Sequence, residues 1–509
     1  MMVTDLNCEE LGLSRLCLME SAGKSLAEEV GKIAVFAFSK PIKIVIFTGS
    51  GGNGGDGFVA ARYLLNRGYE VDICMLSDNF KSEMAKTNYE ILLNMEPRIS
   101  RLTIHNLETI EDVNNCDVAQ SESFSEFIIV DAILGTGIKG KLKDKVKRAI
   151  EVINNSEGLT ISVDVPSGLD PLTGEINDIA VDSVYTISFH KVKTGVRAAG
   201  EDVVGGLVIS DIGIPIEAEL FVGAGDLLRL EKRQDTSHKG NNGKILIVGG
   251  SNEYSGAPAI AGRAAIGAGS DLVYVAAPEP AASAIKASSP DLIVTSLEGD
   301  YLGLNHLNTI LELAENVDAI LLGPGSSLNE DTRKLFNILA SKIKKPLVLD
   351  ADALKLVDLS LIKNREDIII TPHLFEFKKF FKHQEPLDMK FEGFKFNKID
   401  ENISQFQQLA KQIKGTTLLK GHYDLIMAGN KFKINKTGNA GMTVGGTGDA
   451  LSGLATSLIA QELTAFDAAS LACYLNGRAG DLAMEKQGFG FSSTDLAAYI
   501  GALMSNIIK

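Results

Sequence analysis

Short apolar, β-branched runs alternate with helical stretches along this chain, and the alternation then begins a second time. In the first half the runs are residues 42–50 (IKIVIFTGS), 70–76 (EVDICML), 127–134 (FIIVDAIL), 159–166 (LTISVDVP), 184–189 (VYTISF) and 206–213 (GLVISDIG). Helical periodicity fills most of the intervals, including 56–66 and 141–154. A leading helix is expected over 14–38, with Leu18, Ala22 and Leu26 on one face. Nearly continuous apolar strands separated by helices predict a parallel sheet covered on both faces. The second series is 244–250 (KILIVGG), 272–278 (LVYVAAP), 292–297 (LIVTSL), 319–325 (AILLGPG), 346–352 (PLVLDAD) and 368–373 (IIITPH). A hairpin within 418–434 and a long alanine-rich helical tail follow. Residues 214–240 hold no strong strand and end in a polar, charged run, so the boundary is expected near 215–235. The expected architecture is α/β with two domains, residues 1–215 and 235–509, joined by a linker at 216–234. Residues 383–402 lose all periodicity and read as a surface insertion.

The 509 residues exceed what one ordinary core accommodates. With 45% hydrophobic and 23% charged residues, the composition is that of a soluble globular protein rather than a disordered or fibrous one. The net charge of −15 disfavours a nucleic-acid partner, which needs a basic face. Small phosphorylated ligands stay open, because backbone N–H groups can hold them. The five cysteines are scattered without a C-x-x-C pair, which argues against disulfides or a zinc knuckle and for a cytoplasmic setting. The first residues lack the apolar core of a signal peptide, and no run of about 18 apolar residues suggests a membrane span.

Glycine is concentrated at two places. Six of the 50 glycines lie between Gly49 and Gly57, in TGSGGNGGDGFVAARYL. Gly49, Gly51 and Gly54 with Asp78 loosely fit a dinucleotide fingerprint, but so many glycines fit many templates. Asp56 is expected at the helix N-terminus, where it would repel a pyrophosphate. The loop therefore better suits hydroxyls, amides or a shared cation; a ligand-free strand-to-helix turn is the plainer alternative. Asp131, closing FIIVD, and Asp164 and Ser167, in SVDVPSGLD, fall at the same strand-end edge, the usual ligand edge of such a sheet. Each also fits a cap or an ordinary turn.

In order, the LMESAG helix, GSGGNGGDG, VDAILGTGIKG and VDVPSGLD resemble the N-terminal domain of the bifunctional NAD(P)H-hydrate repair enzymes. The resemblance covers about residues 1–215 and implies a Rossmann-like three-layer sandwich that epimerises the R and S hydrates of NADH and NADPH. It implies that Gly52, Asn53, Gly54, Gly55 and Asp56, with Gly135, Thr136, Gly137, Ile138, Lys139, Gly140 and Lys141, contact the hydrated dinucleotide. Asn53, Asp131 and Ser167 would hold a potassium ion, and Asp164 would lie against the reacting ring. Oxygen-only ligands suit a hard, weakly held cation, and a buried carboxylate suits the proton transfer. The family loop usually has two asparagines, and Gly52 stands in place of the first.

The second concentration lies in NKTGNAGMTVGGTGDALSGLATSLIA, where six glycines fall between Gly438 and Gly453. No Walker-type G-x-x-x-x-G-K-[ST] is present. Instead Gly445, Gly446 and Gly448 precede an apolar helix expected to begin near Asp449. Its first N–H groups would make an anion hole without any lysine. Asp449 reads either as a helix cap or as a base for a hydroxyl attacking phosphorus.

GGTGD before an apolar helix resembles the ribokinase-like superfamily. HKGNNGKILIVGGSNEYSGAPAIAGRAAIGAGSDLVYVA, LLGPG, VLDADAL, TPHLFEF and LLKGHYD narrow the resemblance to the ADP- or ATP-dependent NAD(P)H-hydrate dehydratase domain, over about 235–509. By that resemblance Lys420, Gly421, His422, Tyr423, Asp424 and Gly448 bind the adenine nucleotide, while Ala257, Gly325, His373 and Asp449 face the hydrated nicotinamide. His373 alone also fits a core histidine, and Leu374-Phe375 replaces the family's usual Pro-Gly after it. The resemblance further implies ADP as co-substrate with Mg2+, NADHX and NADPHX as substrates, and a homo-oligomer. The competing reading is a small-molecule kinase with a non-catalytic N-terminal dinucleotide-binding module; a dehydrogenase lacks a hydride-transfer constellation.

Overall fold

A computed structural model describes residues 2–40, 42–120, 127–137, 140–176, 178–383 and 404–507. Of the expected insertion at 383–402, all but residue 383 lies outside the described residues. The chain divides into two compact units, Leu11–Pro215 and Met1–Glu10 with Ile216–Lys509.

In the Leu11–Pro215 unit seven parallel strands form one sheet. They are β1 (Lys43–Thr48), β2 (Glu70–Met75), β3 (Leu102–Asn106), β4 (Phe127–Ala132), β5 (Leu159–Val163), β6 (Tyr185–Phe189) and β7 (Gly206–Ser210). Their order is β3-β2-β1-β4-β5-β6-β7. β3 was not among the expected strands, because its run LTIHN carries three polar residues and is only half-buried. Both faces of the central strands are covered, which explains their unbroken apolar character. Val45, Phe47 and Ile129 pack with Ala149 and Ile150 of the helix Asp144–Asn154, while Ile44 and Ile46 are fully buried on the alternate side. Each such side chain contributes about 1.5–3 kcal/mol on burial. The leading helix runs Arg15–Ala37 and is capped by Ser14, whose hydroxyl accepts from the Cys17 N–H.

The second unit carries a nine-stranded sheet. Its strands are β8 (Lys244–Val248), β9 (Leu272–Pro278), β10 (Ile293–Leu297), β11 (Ala319–Leu322), β12 (Leu347–Leu349), β13 (Ile368–Ile370), β14 (Thr416–Leu419), β15 (Asp424–Ala428) and β16 (Lys431–Asn435). The order is β10-β9-β8-β11-β12-β13-β14-β15-β16, parallel up to β14, with β15 and β16 antiparallel as the expected hairpin. Ile245 and Ile247 of β8 face one apolar layer and Leu246 and Val248 the other, so this unit too has three layers.

Residues 1–10 and 216–234 depart from the expected division. The helix Met2–Glu10 packs with the second unit. Asn7 donates to the Ala218 carbonyl at 2.9 Å and accepts from the Gly225 N–H at 2.8 Å, and Glu10 accepts from the Ala224 N–H at 2.7 Å. The segment expected as a linker folds into a short helix, Glu217–Leu220, and a 3-10 turn, Ala224–Arg229. Asp226 within it is 1% exposed and pairs with Lys433 of β16. A polar run reads as linker from sequence, yet here its carboxylate is a buried partner for a distant strand.

Candidate functional site

Each sheet reverses direction of travel once, between β1 and β4 and between β8 and β11, and such switch points open a crevice at the strand carboxyl ends. Asn53, Asp131, Asp164 and Ser167 of the first unit and Gly325, His373 and Lys420 of the second lie at or after the carboxyl ends of the strands.

In the first unit the chain leaves β1 and enters a helix that begins at Gly52, not at Asp56. A Cβ at Gly49 would collide with the Ile133 carbonyl and one at Gly54 with the Gly49 carbonyl, so this close turn accepts only glycine at both positions. Packing of that kind overrides glycine's poor helix propensity. Asp56 therefore lies in the second turn, and its expected repulsion of an anion at the helix start is withdrawn. The first intrahelical bond is from Gly55 N–H to the Gly51 carbonyl at 3.2 Å.

Asn53 reaches across the crevice. Its Nδ2 donates to the Leu134 carbonyl at 3.1 Å and the Val163 carbonyl at 2.7 Å, tying the loops after β4 and β5 together. Gly135 lies directly against this amide. Asp131 is fully buried. It accepts from the Ser167 hydroxyl (2.6 Å), the Ser167 N–H (2.8 Å) and the Ser162 hydroxyl (2.8 Å). Ser162 stands beside Asp131 because β4 and β5 pair in that register. Burial pushes the Asp131 carboxyl up from the ordinary carboxylate range, against these hydrogen bonds.

Asp164 follows β5 in the left-handed region at φ 64°, an uncommon conformation for a non-glycine residue. The Ser188 hydroxyl holds its carbonyl at 2.8 Å and the Phe189 N–H holds its Oδ1 at 3.1 Å. Lys193 Nζ forms an ion pair with Oδ1, both side chains being 9% exposed. Lys193 was missed by the sequence reading, since FHKVKTG offers three basic residues and no spacing singles one out. Thr136, Gly137, Gly140 and Lys141 sit on an exposed turn, and Ile138 and Lys139 lie outside the described residues.

In the second unit Gly446, at φ 94°, occupies the N-cap of the helix Thr447–Ala460 without any side-chain cap. Asp449 is the third residue of that helix, so it is not the cap. Burial, with Asp350 and Asp352, pushes its carboxyl up to about 7, against the charge of Lys420. The helix start does have a lysine: a Cβ at Gly448 would lie 3.3 Å from Lys420 Nζ. Sequence could not show this, because Lys420 arrives from β14, 28 positions upstream. Burial disfavours the Lys420 charge, but Asp350, Glu376 and Asp449 together hold its pKa above the ordinary value.

Ala257 lies beside Gly325 and Tyr254. His373 is not a core histidine; its side chain is 53% exposed and caps the helix Leu374–Phe380, accepting from the Glu376 N–H at 3.3 Å. Its backbone bridges to Lys420. Tyr254, Leu328 and Phe375 are exposed apolar side chains next to these residues in the chain or in space, and none had been singled out. Gly421 and His422 form the exposed hairpin turn after Lys420, with Tyr423 half-buried. Asp424 closes that turn, accepting from the Gly421 N–H at 3.1 Å and Asn435 Nδ2 at 3.0 Å. Burial pushes its carboxyl up to about 6, against those bonds.

A glycine-led helix start beside a lysine and a carboxyl poised near neutrality suits phosphoryl transfer, which makes this a two-domain α/β enzyme of nucleotide chemistry. Residues 245–501 match the family described as NAD(P)H-hydrate dehydratase, and residues 15–195 match the family described as YjeF-related protein N-terminus. The bifunctional NAD(P)H-hydrate repair enzyme Nnr of Methanothermobacter thermautotrophicus is 46% identical over 99% of this chain and 94% of its own. The enzyme of the same name from Pyrobaculum aerophilum is 41% identical over 97% and 95%. A solved ribokinase-like superfamily protein from Enterococcus faecalis is 23% identical, covering 55% of this chain and 94% of its own at a TM-score of 0.47. The chain belongs to the family of bifunctional NAD(P)H-hydrate repair enzymes.

Proposed function

We propose that the chain repairs hydrated nicotinamide cofactors, its first unit interconverting R- and S-NAD(P)HX and its second dehydrating S-NAD(P)HX with ADP. The observation that carries this reading is the 46% identity across nearly the whole chain to a bifunctional repair enzyme. The two candidate sites support it with suitable groups.

In the first unit the hydrate is a carbinolamine. Its ring nitrogen expels the hydroxyl as water when that oxygen takes a proton from solvent, and water returns to either face of the planar iminium, giving one proton back. The Asp164 carboxylate, fixed by Phe189 and Lys193, would stabilise the cationic ring. Gly52, Asn53, Gly54, Gly55 and Asp56 at the helix start and the 135–141 turn would hold the dinucleotide. Asn53, Asp131 and Ser167 would hold a potassium ion: the Ser167 hydroxyl touches both Asp131 and the Leu134 carbonyl, the same carbonyl that Asn53 bonds, and such oxygen donors suit a hard cation. When bound, the ion would supply positive charge that fixes these loops.

In the second unit Asp449 would take the proton from the ring hydroxyl as that oxygen attacks the β-phosphorus of ADP and the bond to AMP breaks. The ring nitrogen then expels phosphate, and loss of a C5 proton restores NAD(P)H. Lys420 and the N–H groups at Gly448 would bear the phosphoryl charge, with residues 420–424 along the nucleotide and Ala257, Gly325 and His373 along the substrate. Mg2+ enters with the nucleotide, and ADP rather than ATP is the phosphoryl donor we favour. The acidic composition argues against a nucleic-acid partner and the scattered cysteines favour a cytoplasmic setting, while a homo-oligomer rests on the family resemblance alone.

Incubating the full chain with S-NADHX and ADP tests this reading. Recovery of absorbance at 340 nm with stoichiometric AMP release is expected, and folded protein that releases neither would overturn it.

A further inference from the structure

Asp350 is 1% exposed at the end of β12, and the functions assigned above leave it unused. Its Oδ1 accepts from Lys420 Nζ at 2.9 Å and from the Thr371 hydroxyl at 2.7 Å. The next residue, Ala351, is held at φ 50°, a left-handed conformation that is unfavourable for a non-glycine residue. That turn sends Asp350 to Lys420, while Asp352 serves the Ser327 N–H at 3.0 Å and Lys355 Nζ at 3.1 Å. Lys420 is anchored at both ends: its own N–H donates to the Pro372 carbonyl at 2.8 Å, and its ammonium reaches the Gly448 helix start.

A lysine side chain forfeits much of its rotamer entropy when held in one place, so a fixed ammonium needs a fixed partner. Three carboxyls act on this one: Asp350, Glu376 and Asp449. Facing Asp449 are Asp350 and Asp352 from the turn after β12 and Lys420 from the turn after β14; Glu376, from the helix after β13, acts on Lys420.

We infer that Asp350 is a positioning residue for phosphoryl transfer: it holds the Lys420 ammonium at the mouth of the helix Thr447–Ala460 and keeps it from pairing with Asp449. Lys420 then meets the transferring phosphoryl group, and Asp449 keeps the basicity to accept the hydroxyl proton. The inference rests on the dehydratase reading of this site.

The test compares full-length wild type, Asp350→Asn, Lys420→Met and the double variant, with S-NADHX and ADP between pH 5.5 and 8.5. Asp350→Asn is expected to lower kcat roughly 10–100-fold, with the KM for ADP changed less than about threefold. The acid limb of its rate profile should move down by about one pH unit, because Asp449 loses an acidic neighbour and gains the released ammonium. Added to Lys420→Met, it should cost nothing further in kcat. Thermal melts of the same preparations followed by circular dichroism report whether the second unit is folded, since epimerisation belongs to the first unit alone, and Asp350→Glu, which restores the carboxylate, should recover part of kcat if Asn at this buried position impairs folding. An unmoved acid limb, or costs that simply multiply in the double variant, would overturn the inference. A wild-type chain that releases no AMP would overturn the dehydratase reading itself, and is seen separately in the wild-type arm.

Discussion

Ser167 meets the Asp131 carboxylate twice, through its hydroxyl at 2.6 Å and its backbone N–H at 2.8 Å. Because Asp131 is fully buried, each partner offsets the cost of a carboxylate away from water. Ser167→Ala removes the hydroxyl and also the acceptor of the Leu134 N–H at 2.9 Å. The expected loss is about 1–3 kcal/mol in urea unfolding of the first unit, together with weaker stimulation of epimerisation by potassium over sodium.

Lys193→Met strips a buried carboxylate of its cation while keeping the volume. Epimerisation of R-NADHX should fall by about 10²–10⁴ with dehydration of S-NADHX unchanged. Lys193→Arg should restore part of the epimerase rate, which chiral chromatography of the two hydrates would measure.

With its carboxyl raised to about 7, Asp449 is about half ionised at neutrality and loses its charge as the pH falls below it. Dehydration should fall about tenfold per pH unit below 7, and Asp449→Asn should lower it by about 10²–10⁴ at pH 8. The stability effect runs the other way. A folded-state pKa above the ordinary value of about 3.9 means that the neutral form favours the fold, and this contribution is lost as pH rises through 7. Asp449→Asn should therefore melt higher than wild type at pH 8, with the difference vanishing near pH 3.5.

Asn7 is 3% exposed and bonds to Ala218, Gly225 and Asp226. Asn7→Ala should cost about 2–3 kcal/mol by leaving buried partners unpaired. Although the residue lies at the start of the sequence, dehydratase activity is expected to disappear at lower urea than in wild type, with the epimerase midpoint unmoved.

A Cβ at Gly52 would meet open space, and its backbone is not left-handed. Gly52→Asn should thus raise or preserve the melting temperature, since glycine loses more entropy on folding. If the added amide reaches the hydrated dinucleotide, the KM for epimerisation should fall about 3–10-fold, as one neutral hydrogen bond provides.

Much of this protein was legible along the chain. The strands of both sheets, the break near residue 215 and the placing of Asn53, Asp131, Asp164, Ser167, Gly448 and Asp449 at strand ends or helix starts follow from local pattern. Both faces of each sheet are buried, so the strands read as unbroken apolar runs, and the close turns require glycine. Where burial is one-sided or partial, as at β3, the signal faded. Partnership across sequence was not legible in the local pattern; only the family resemblance grouped Asn53 with Asp131 and Ser167, or Lys420 with Gly448. Lys193 meets Asp164 and Ser162 meets Asp131 through strand order and register, and Lys420 reaches both Asp350 and the helix before Asp449. The helix Met2–Glu10 joins the unit that begins more than 200 residues later. Apolar periodicity records only whether a side chain is buried. Which charge a buried charge finds is decided by long-range folding, because desolvation makes a distant partner as necessary as a neighbouring one.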